Sequence, residues 1–280
     1  MREVDAKTIT DTVKNLAISA NYELNEDMLA MLGKALRTEK SANGKEILKQ
    51  LIKNAEIARS ERYPICQDTG LAVIFLEMGQ DVHVVGGSVK NALNDGVRTG
   101  YREGYLRKSV VADALDRKNT GDNSPAIVHT EIVPGDKIKL TFIAKGGGCE
   151  NVSRYKMFNP TAAKSDIEDF VVKTVKDAGP NPCPPIIVGV GIGGDLEASA
   201  ILAKKALLRG VGKPSSNKEN AKLEKTLLDK VNALGIGPGG LGGSVTALAV
   251  HVETAPAHLA SLPVTVNIDC HAHRVKEAVI

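Results

Sequence analysis

The sequence predicts an α/β protein, in the α+β sense, in which an N-terminal all-helical lobe precedes an α/β lobe with a mixed sheet. Three observations lead there. Apolar residues recur at helical spacing through residues 1–60, the pattern changes after residue 70 to short apolar runs separated by turns, and helical segments alternate with such runs from residue 88 onward. The one sharp boundary lies near residue 60, so 1–60 is expected to form the helical lobe and 61–280 the α/β lobe of one compact subunit.

In the first sixty residues Ile9, Val13, Leu16, Ala17 and Ala20 mark one helix, Met28, Leu29, Leu32 and Leu36 a second, and Ile47, Leu48, Leu51, Ile52 and Ala55 a third. Asn25 and Ser41 stand where N-caps belong, because a short polar side chain can accept an amide proton that a helix start leaves open. Leu71–Leu76 then reads as a buried strand and Val82–Val85 as another, followed by a helix from Ser88 that carries Val89, Leu93 and Val97. The polar stretch from Leu106 to Pro125 is too long for a simple connection, and long ordered loops tend to carry function. Strands at 126–133 and 137–144 flank Pro134-Gly135-Asp136, a turn sequence that predicts a hairpin. A helix over 165–178, a strand from Ile186 to Val190, helices over 195–209 and 217–234, and strands at Val245–Val252 and Leu262–Ile268 follow.

Composition narrows the function. The 36 basic and 33 acidic residues are well mixed and leave a net charge of +3, so no basic face announces nucleic acid. Aromatics make up only 3% of the chain, which argues against a platform for stacking bases. No apolar run approaches the roughly 18 residues of a membrane span, and Met1–Asn15 lacks the apolar core of a secretion signal. Four cysteines, at 66, 149, 183 and 270, are too few and too scattered for a disulfide framework. The expectation is a soluble, cytoplasmic protein in a reducing compartment, without nucleic-acid or membrane partners.

Chemistry-bearing residues gather at Cys66-Gln67-Asp68-Thr69-Gly70, where a thiol, an amide, a carboxylate and a hydroxyl share one turn between a helix and a strand. Gly146-Gly147-Gly148 reads either as a flexible loop or as a turn whose backbone amides can hold a carboxylate or phosphate. Gly189-x-Gly191-x-x-Gly194 superficially fits the dinucleotide-binding fingerprint, but a polar loop at 209–216 stands where the second strand and its acidic residue belong. These glycines therefore read as tight packing or an anion cap. Cys66, Cys183 and Cys270 each stand where a loop meets an apolar strand, without local CxxC spacing, so any metal site must be assembled by the fold. Three thiolates can hold an iron–sulfur cluster with one iron left open as a Lewis acid.

At this point the sequence resembles a known family, the class I, iron–sulfur type fumarate hydratases and the related L-tartrate dehydratases, over nearly all of its length. The match is with their α subunit, or the N-terminal domain of the single-chain forms. It rests on Cys66-Gln67-Asp68-Thr69-Gly70, Asn119-Thr120-Gly121-Asp122-Asn123 with Pro125, Pro134-Gly135-Asp136, Lys145-Gly146-Gly147-Gly148, Cys183-Pro184-Pro185, Gly235-Ile236-Gly237-Pro238 with Gly240, and Asn267-Ile268-Asp269-Cys270.

The resemblance implies the fold of an iron–sulfur hydro-lyase α domain and a [4Fe–4S] cluster held by Cys66, Cys183 and Cys270. Cys149, where relatives are expected to carry Ser, is then a bystander. It further implies Gln67 and Asp68 beside the substrate, Arg107 on a substrate carboxylate, a backbone contact from Gly147, and His258 sharing proton movement with Asp68. The reaction implied is the reversible hydration of fumarate to L-malate, a small dicarboxylate, with L-tartrate dehydration as the alternative. Further substrate ligands belong to a β subunit in this family, so the chain is expected to pair with a separate β subunit as an α2β2 assembly. His129, His251, His271 and His273 read as structural or surface residues. A cluster-bearing sensor without catalysis is the reading from another class, and Gln67, Asp68, Arg107 and His258, which a sensor does not need, argue against it.

Overall fold

The computed structural model describes residues 1–280. In chain order its elements are β1 (Arg2–Asp5), α1 (Ala6–Tyr22), α2 (Glu26–Thr38), α3 (Ala42–Glu61), β2 (Leu71–Gly79), β3 (Val82–Val85), α4 (Val89–Glu103), β4 (Ile127–Val133), β5 (Ile138–Lys145), α5 (Gly147–Asn151), β6 (Arg154–Phe158), α6 (Lys164–Ala178), β7 (Ile186–Gly194), α7 (Leu196–Ala206), α8 (Lys218–Asn232), β8 (Ala247–Ala257), β9 (Leu262–Asp269) and β10 (Val275–Val279). No helix is long and apolar enough to cross a membrane.

The chain forms two compact units: Met1–Asn25, Ala55–Gly147 and Arg274–Ile280 make the first, Glu26–Asn54 and Gly148–His273 the second. The three expected N-terminal helices are present but divided, α1 in the first unit, α2 in the second, and α3 shared at Asn54/Ala55. Each unit is α/β with a four-stranded mixed sheet, in the orders β10-β5-β2-β4 and β6-β9-β7-β8. Both sheets repeat one pattern, two antiparallel pairs followed by a parallel pair at one edge.

In the first unit, Ile9, Val13 and Leu16 of α1 and Leu93 and Val97 of α4 pack on Ile74 and Leu76 of β2 and Leu140 and Phe142 of β5. The hairpin expected between the strands flanking Pro134-Gly135-Asp136 does not form. β4 pairs in parallel with β2, β5 pairs antiparallel with β2, and so β2 lies between them. The turn instead crosses the end of β2, bonded by Gly79 N–H to Lys137 O, Gln80 N–H to Val133 O and Asp81 N–H to Gly135 O. The physical reason is that β2 and β5 are the two most buried strands of this sheet, and the two central places cover both edges of each.

In the second unit β7 presents Ile186, Val188 and Val190 to a core completed by Val171 and Val175 of α6 and Leu227 and Val231 of α8. Its alternate residues, Gly189 and Gly191, face α7. A Cβ at Gly189 would lie 2.1 Å from Ala203 O, and one at Gly191 would lie 2.1 Å from Ser199 O. The fingerprint-like glycines therefore serve close helix-on-strand packing.

Glu39, in the link between α2 and α3, is 2% exposed. One carboxylate oxygen accepts the N–H groups of Lys40 (2.7 Å) and Ser41 (2.8 Å), and the other accepts that of Val245 (2.8 Å); the N–H of Ser244 reaches both. Burial works against its ionisation, but these backbone donors outweigh burial and hold the carboxyl below the ordinary carboxylate range. The residue thereby fixes the end of the glycine-rich 235–243 segment. A folded-state pKa below the unfolded value gives stability that is present at neutral pH and lost as pH falls through the folded pKa. Glu39→Gln is expected to cost about 2–3 kcal/mol at pH 7. In urea titrations, the gap to wild type should narrow as pH drops below the usual carboxylate range.

Candidate functional site

The Cys66–Gly70 turn lies in the first unit, between α3 and β2, and hydrogen bonds hold Asp68, Thr69 and Gly70. Asp68 Oδ2 accepts the Gly147 N–H at 2.9 Å, and Oδ1 accepts the Gly70 N–H at 3.1 Å. Arg107 Nη2 donates to Oδ1 at 3.3 Å, while the Arg107 side chain stays 58% exposed. The main-chain oxygen of Asp68 accepts from the guanidinium of Arg274, which is itself buried. Thr69 Oγ1 donates to Arg107 O at 2.8 Å, which ties the start of the long polar loop to the turn. Gly70 has φ +75°, and a Cβ there would stand 2.8 Å from the carbonyl carbon of Ala144. Only glycine fits both demands. The result is a carboxylate oriented by two backbone amides, with a half-exposed thiol and the exposed amide of Gln67 beside it. Gly147, expected to contact a ligand, gives its N–H to Asp68, and the triple-glycine segment is the start of the short helix α5.

Cys66 Sγ accepts the Asp68 N–H at 3.4 Å and lies 3.3 Å from Gln67 Oε1. Cys183 and Cys270 belong to the second unit. Cys183 is exposed, with φ +54° between Pro182 and Pro184. His271 Nδ1 stands 2.9 Å from the Cys183 carbonyl, which brings the residue after Cys270 against Cys183. Cys270 is buried, and its sulfur, Cys149 Sγ and an Asp269 carboxylate oxygen all lie within 4.8 Å of one another. Cys149 Sγ in turn donates to Pro182 O at 3.7 Å. Cys183, Cys270 and Cys149 therefore share one region of the second unit. Within the second unit the donor chemistry fits a soft metal or an iron–sulfur group, since two sulfurs and a carboxylate oxygen converge there. The structure adds Cys149 and Asp269 as neighbours of Cys270.

His258 sits exposed in the turn between β8 and β9, in the second unit. Its Nδ1 accepts the Ala260 N–H at 3.1 Å, which leaves Nε2 as the outward nitrogen. The other histidines have structural surroundings. His251 is buried on β8 with Nδ1 3.1 Å from Ala206 O, and burial, helped by Arg209, pushes its pKa down to about 4. His273 Nδ1 meets Asp269 Oδ2 at 2.6 Å in the interior, and His129 stacks on Phe75 with ring centroids 4.8 Å apart.

Three residues that organise the turn were not singled out from sequence. Tyr101 on α4, fully buried, donates its hydroxyl to Thr69 O at 2.7 Å, and burial raises its pKa far enough that it remains a donor. Asn123 accepts Ser109 N–H at 2.6 Å and donates to Gly70 O at 3.3 Å, joining the far end of the polar loop to the turn. Arg274 is the third. Asn123 could have been found within its motif; a buried Arg and a core Tyr leave no sequence signal.

Residues 10–279 match the profile of the family described as fumarate hydratase (Fumerase). The chain is 42% identical over 274 residues to a Methanocaldococcus jannaschii protein provisionally named L(+)-tartrate dehydratase subunit alpha, covering 95% of each. It is 33% identical over 270 residues to the L(+)-tartrate dehydratase subunit alpha of Escherichia coli strain UTI89, and 32% identical to that of strain K12, covering 95% of this chain and 88% of each relative.

Tyr101→Phe removes the donor and leaves a buried Thr69 carbonyl without it. The expected loss is about 1–3 kcal/mol in urea unfolding, with an unchanged m value.

Proposed function

The chain belongs to the fumarate hydratase (Fumerase) family, and on that premise we propose that it is the α subunit of an iron–sulfur hydro-lyase interconverting fumarate and L-malate. The observation that carries the reading is the Asp68 carboxylate, oriented by the amides of Gly147 and Gly70 and flanked by Cys66, Gln67 and the exposed Arg107. Cys66, Cys183 and Cys270 are the residues proposed to hold a [4Fe–4S] cluster, which when bound supplies a Lewis acid toward the C2 hydroxyl.

Water is lost from malate by breaking the C2–O bond and removing a proton from C3. Asp68 and His258 are the groups assigned to proton movement. Asp68 is suited to it because its two oxygens are fixed by backbone donors that do not titrate, so the carboxylate is aimed before substrate arrives. Arg107 presents a planar fork to a substrate carboxylate, and its backbone is set by Thr69. Gln67 stands exposed as a hydrogen-bonding partner for the dicarboxylate. Gly147 acts through Asp68 in this arrangement.

L(+)-tartrate dehydration is the second reading, and the names of the relatives favour it. Their designation as alpha subunits supports a separate β subunit as partner, in the α2β2 assembly proposed here, at work in the cytoplasm. The deciding experiment is an anaerobic assay of the chain reconstituted with its β subunit on fumarate, L-malate and L-tartrate. Interconversion of fumarate and malate supports the first reading, turnover of L-tartrate alone supports the second, and turnover of none overturns both. The α chain by itself is expected to show little activity.

Cys66→Ala, Cys183→Ala and Cys270→Ala are each expected to abolish the cluster's visible absorbance after anaerobic reconstitution, with Cys149→Ala retaining it; the opposite pattern would refute the ligand set. Asp68→Asn is expected to lower kcat by about 10²–10⁴-fold with little change in KM and an intact absorbance spectrum, and His258→Asn to lower it less.

A further inference from the structure

In the second unit a cavity of about 200 Å³ opens where α2, the loop between α7 and α8, α8 itself and β8 meet. Met31, Leu228 and Leu248 give it apolar walls, and none of the residues assigned to the cluster or the substrate lines it. Three lysines also line it: Lys34 of α2, Lys213 of the loop and Lys225 of α8. All three are exposed and therefore stand at its open side, and none of them is paired with a carboxylate. The one carboxylate in the lining, Glu224, is already engaged, by Arg209 and the Val252 N–H at Oε1 and by the Ser215 N–H at Oε2. The open side thus carries three positive charges and no competing anion.

The floor is formed by His251, which is 1% exposed. Its Nδ1 lies 3.1 Å from the Ala206 carbonyl. A carbonyl can only accept, so Nδ1 carries the ring hydrogen and Nε2 is a bare acceptor. Burial keeps the ring neutral at neutral pH, so Nε2 holds no proton of its own. That nitrogen is buried, and no group of the protein donates to it. A buried acceptor destabilises the fold until a donor meets it. The cavity therefore suits a molecule with a strongly anionic end, an apolar middle and an N–H or O–H at its far end. Lysines are point charges and lack the planar fork with which arginine selects a carboxylate, so a doubly charged phosphate matches three of them better than one carboxylate does. A dicarboxylate is disfavoured, because its second anionic end would face an acceptor.

We propose that this cavity is a binding site for a small phosphomonoester, its phosphate held among Lys34, Lys213 and Lys225 and a hydroxyl or amino group at its other end donating to Nε2 of His251. The site stands apart from the hydro-lyase assignment. Its test reads binding alone, so the failure of either is a separate result.

Calorimetric titration and thermal unfolding of the full chain at constant ionic strength, with glycerol phosphate, adenosine monophosphate or inorganic phosphate, test it. Glycerol phosphate offers hydroxyl donors and adenosine monophosphate an amino donor, so the tighter of the two identifies the donor. At least one is expected to raise Tm and to bind at least about tenfold more tightly than inorganic phosphate, the gain supplied by the bond to Nε2. Changing Lys34→Gln and Lys213→Gln together is expected to weaken that binding at least about tenfold. His251→Asn keeps a donor for the Ala206 carbonyl but lacks Nε2, and is expected to erase the preference over inorganic phosphate. Should that variant fold poorly, the ¹⁵N resonance of His251 Nε2 in the wild-type chain gives the same answer: it is expected to move with the phosphomonoester and not with inorganic phosphate. Absence of binding by both phosphomonoesters, affinity no better than that of inorganic phosphate, which would mark an adventitious ion only, binding that survives the paired lysine changes, or an unmoved Nε2 resonance would each overturn the proposal.

Discussion

The first unit is organised around the absence of a side chain at residue 70. The backbone there takes φ +75° and passes so close to Ala144 that a Cβ would stand 2.8 Å from its carbonyl carbon. That approach lets the turn lie against the end of β5, where the Gly147 amide can reach Asp68. Everything else secures the same few atoms. Tyr101 holds Thr69 from α4, Asn123 holds Gly70 from the polar loop, and Arg274 holds the Asp68 carbonyl from the entry to β10. A turn bonded from four separate chain segments has one arrangement, and the carboxylate it carries is aimed without help from a ligand.

The second unit uses close approach in the same way. Gly189 and Gly191 let α7 sit on β7, and the buried carboxylate of Glu39 gathers backbone amides from two segments more than 200 residues apart in sequence. A buried charge would destabilise the fold if left unmatched, and here backbone donors match it. Cys183 and Cys270 are presented from this frame, one exposed on a left-handed turn and one buried beside Cys149 and Asp269.

Much of this was legible in the sequence because the relevant signals are local. Apolar spacing marked α1, α2 and α3, Ser88 and Ser41 announced helix starts that their side chains do cap, and the polar residues from Cys66 to Asp68 stood out against the apolar strand that follows. What stayed hidden is non-local. Pro134-Gly135-Asp136 encodes a turn but not which strand the chain passes over, so the neighbours of β2 could not be read from it. β6 and β10 are short edge strands that each carry two charged residues in five, which resemble loop and tail. Arg274 carries the residue type of a surface, and its burial follows from the Asp68 carbonyl it meets 206 residues away in sequence. The proximity of Cys149 to Cys270 depends on two distant segments meeting and left no trace in their spacing.

This chain, with its partner subunit, is proposed to move water and a proton across the C2–C3 bond of a four-carbon dicarboxylate. Proton NMR of fumarate incubated anaerobically in D₂O with the reconstituted α and β chains tests it most directly. The expected product is L-malate carrying a single deuteron at C3, formed from one solvent deuteron and one hydroxyl. Absence of product from fumarate, together with unchanged L-malate and L-tartrate in parallel samples that show full cluster absorbance, would contradict it.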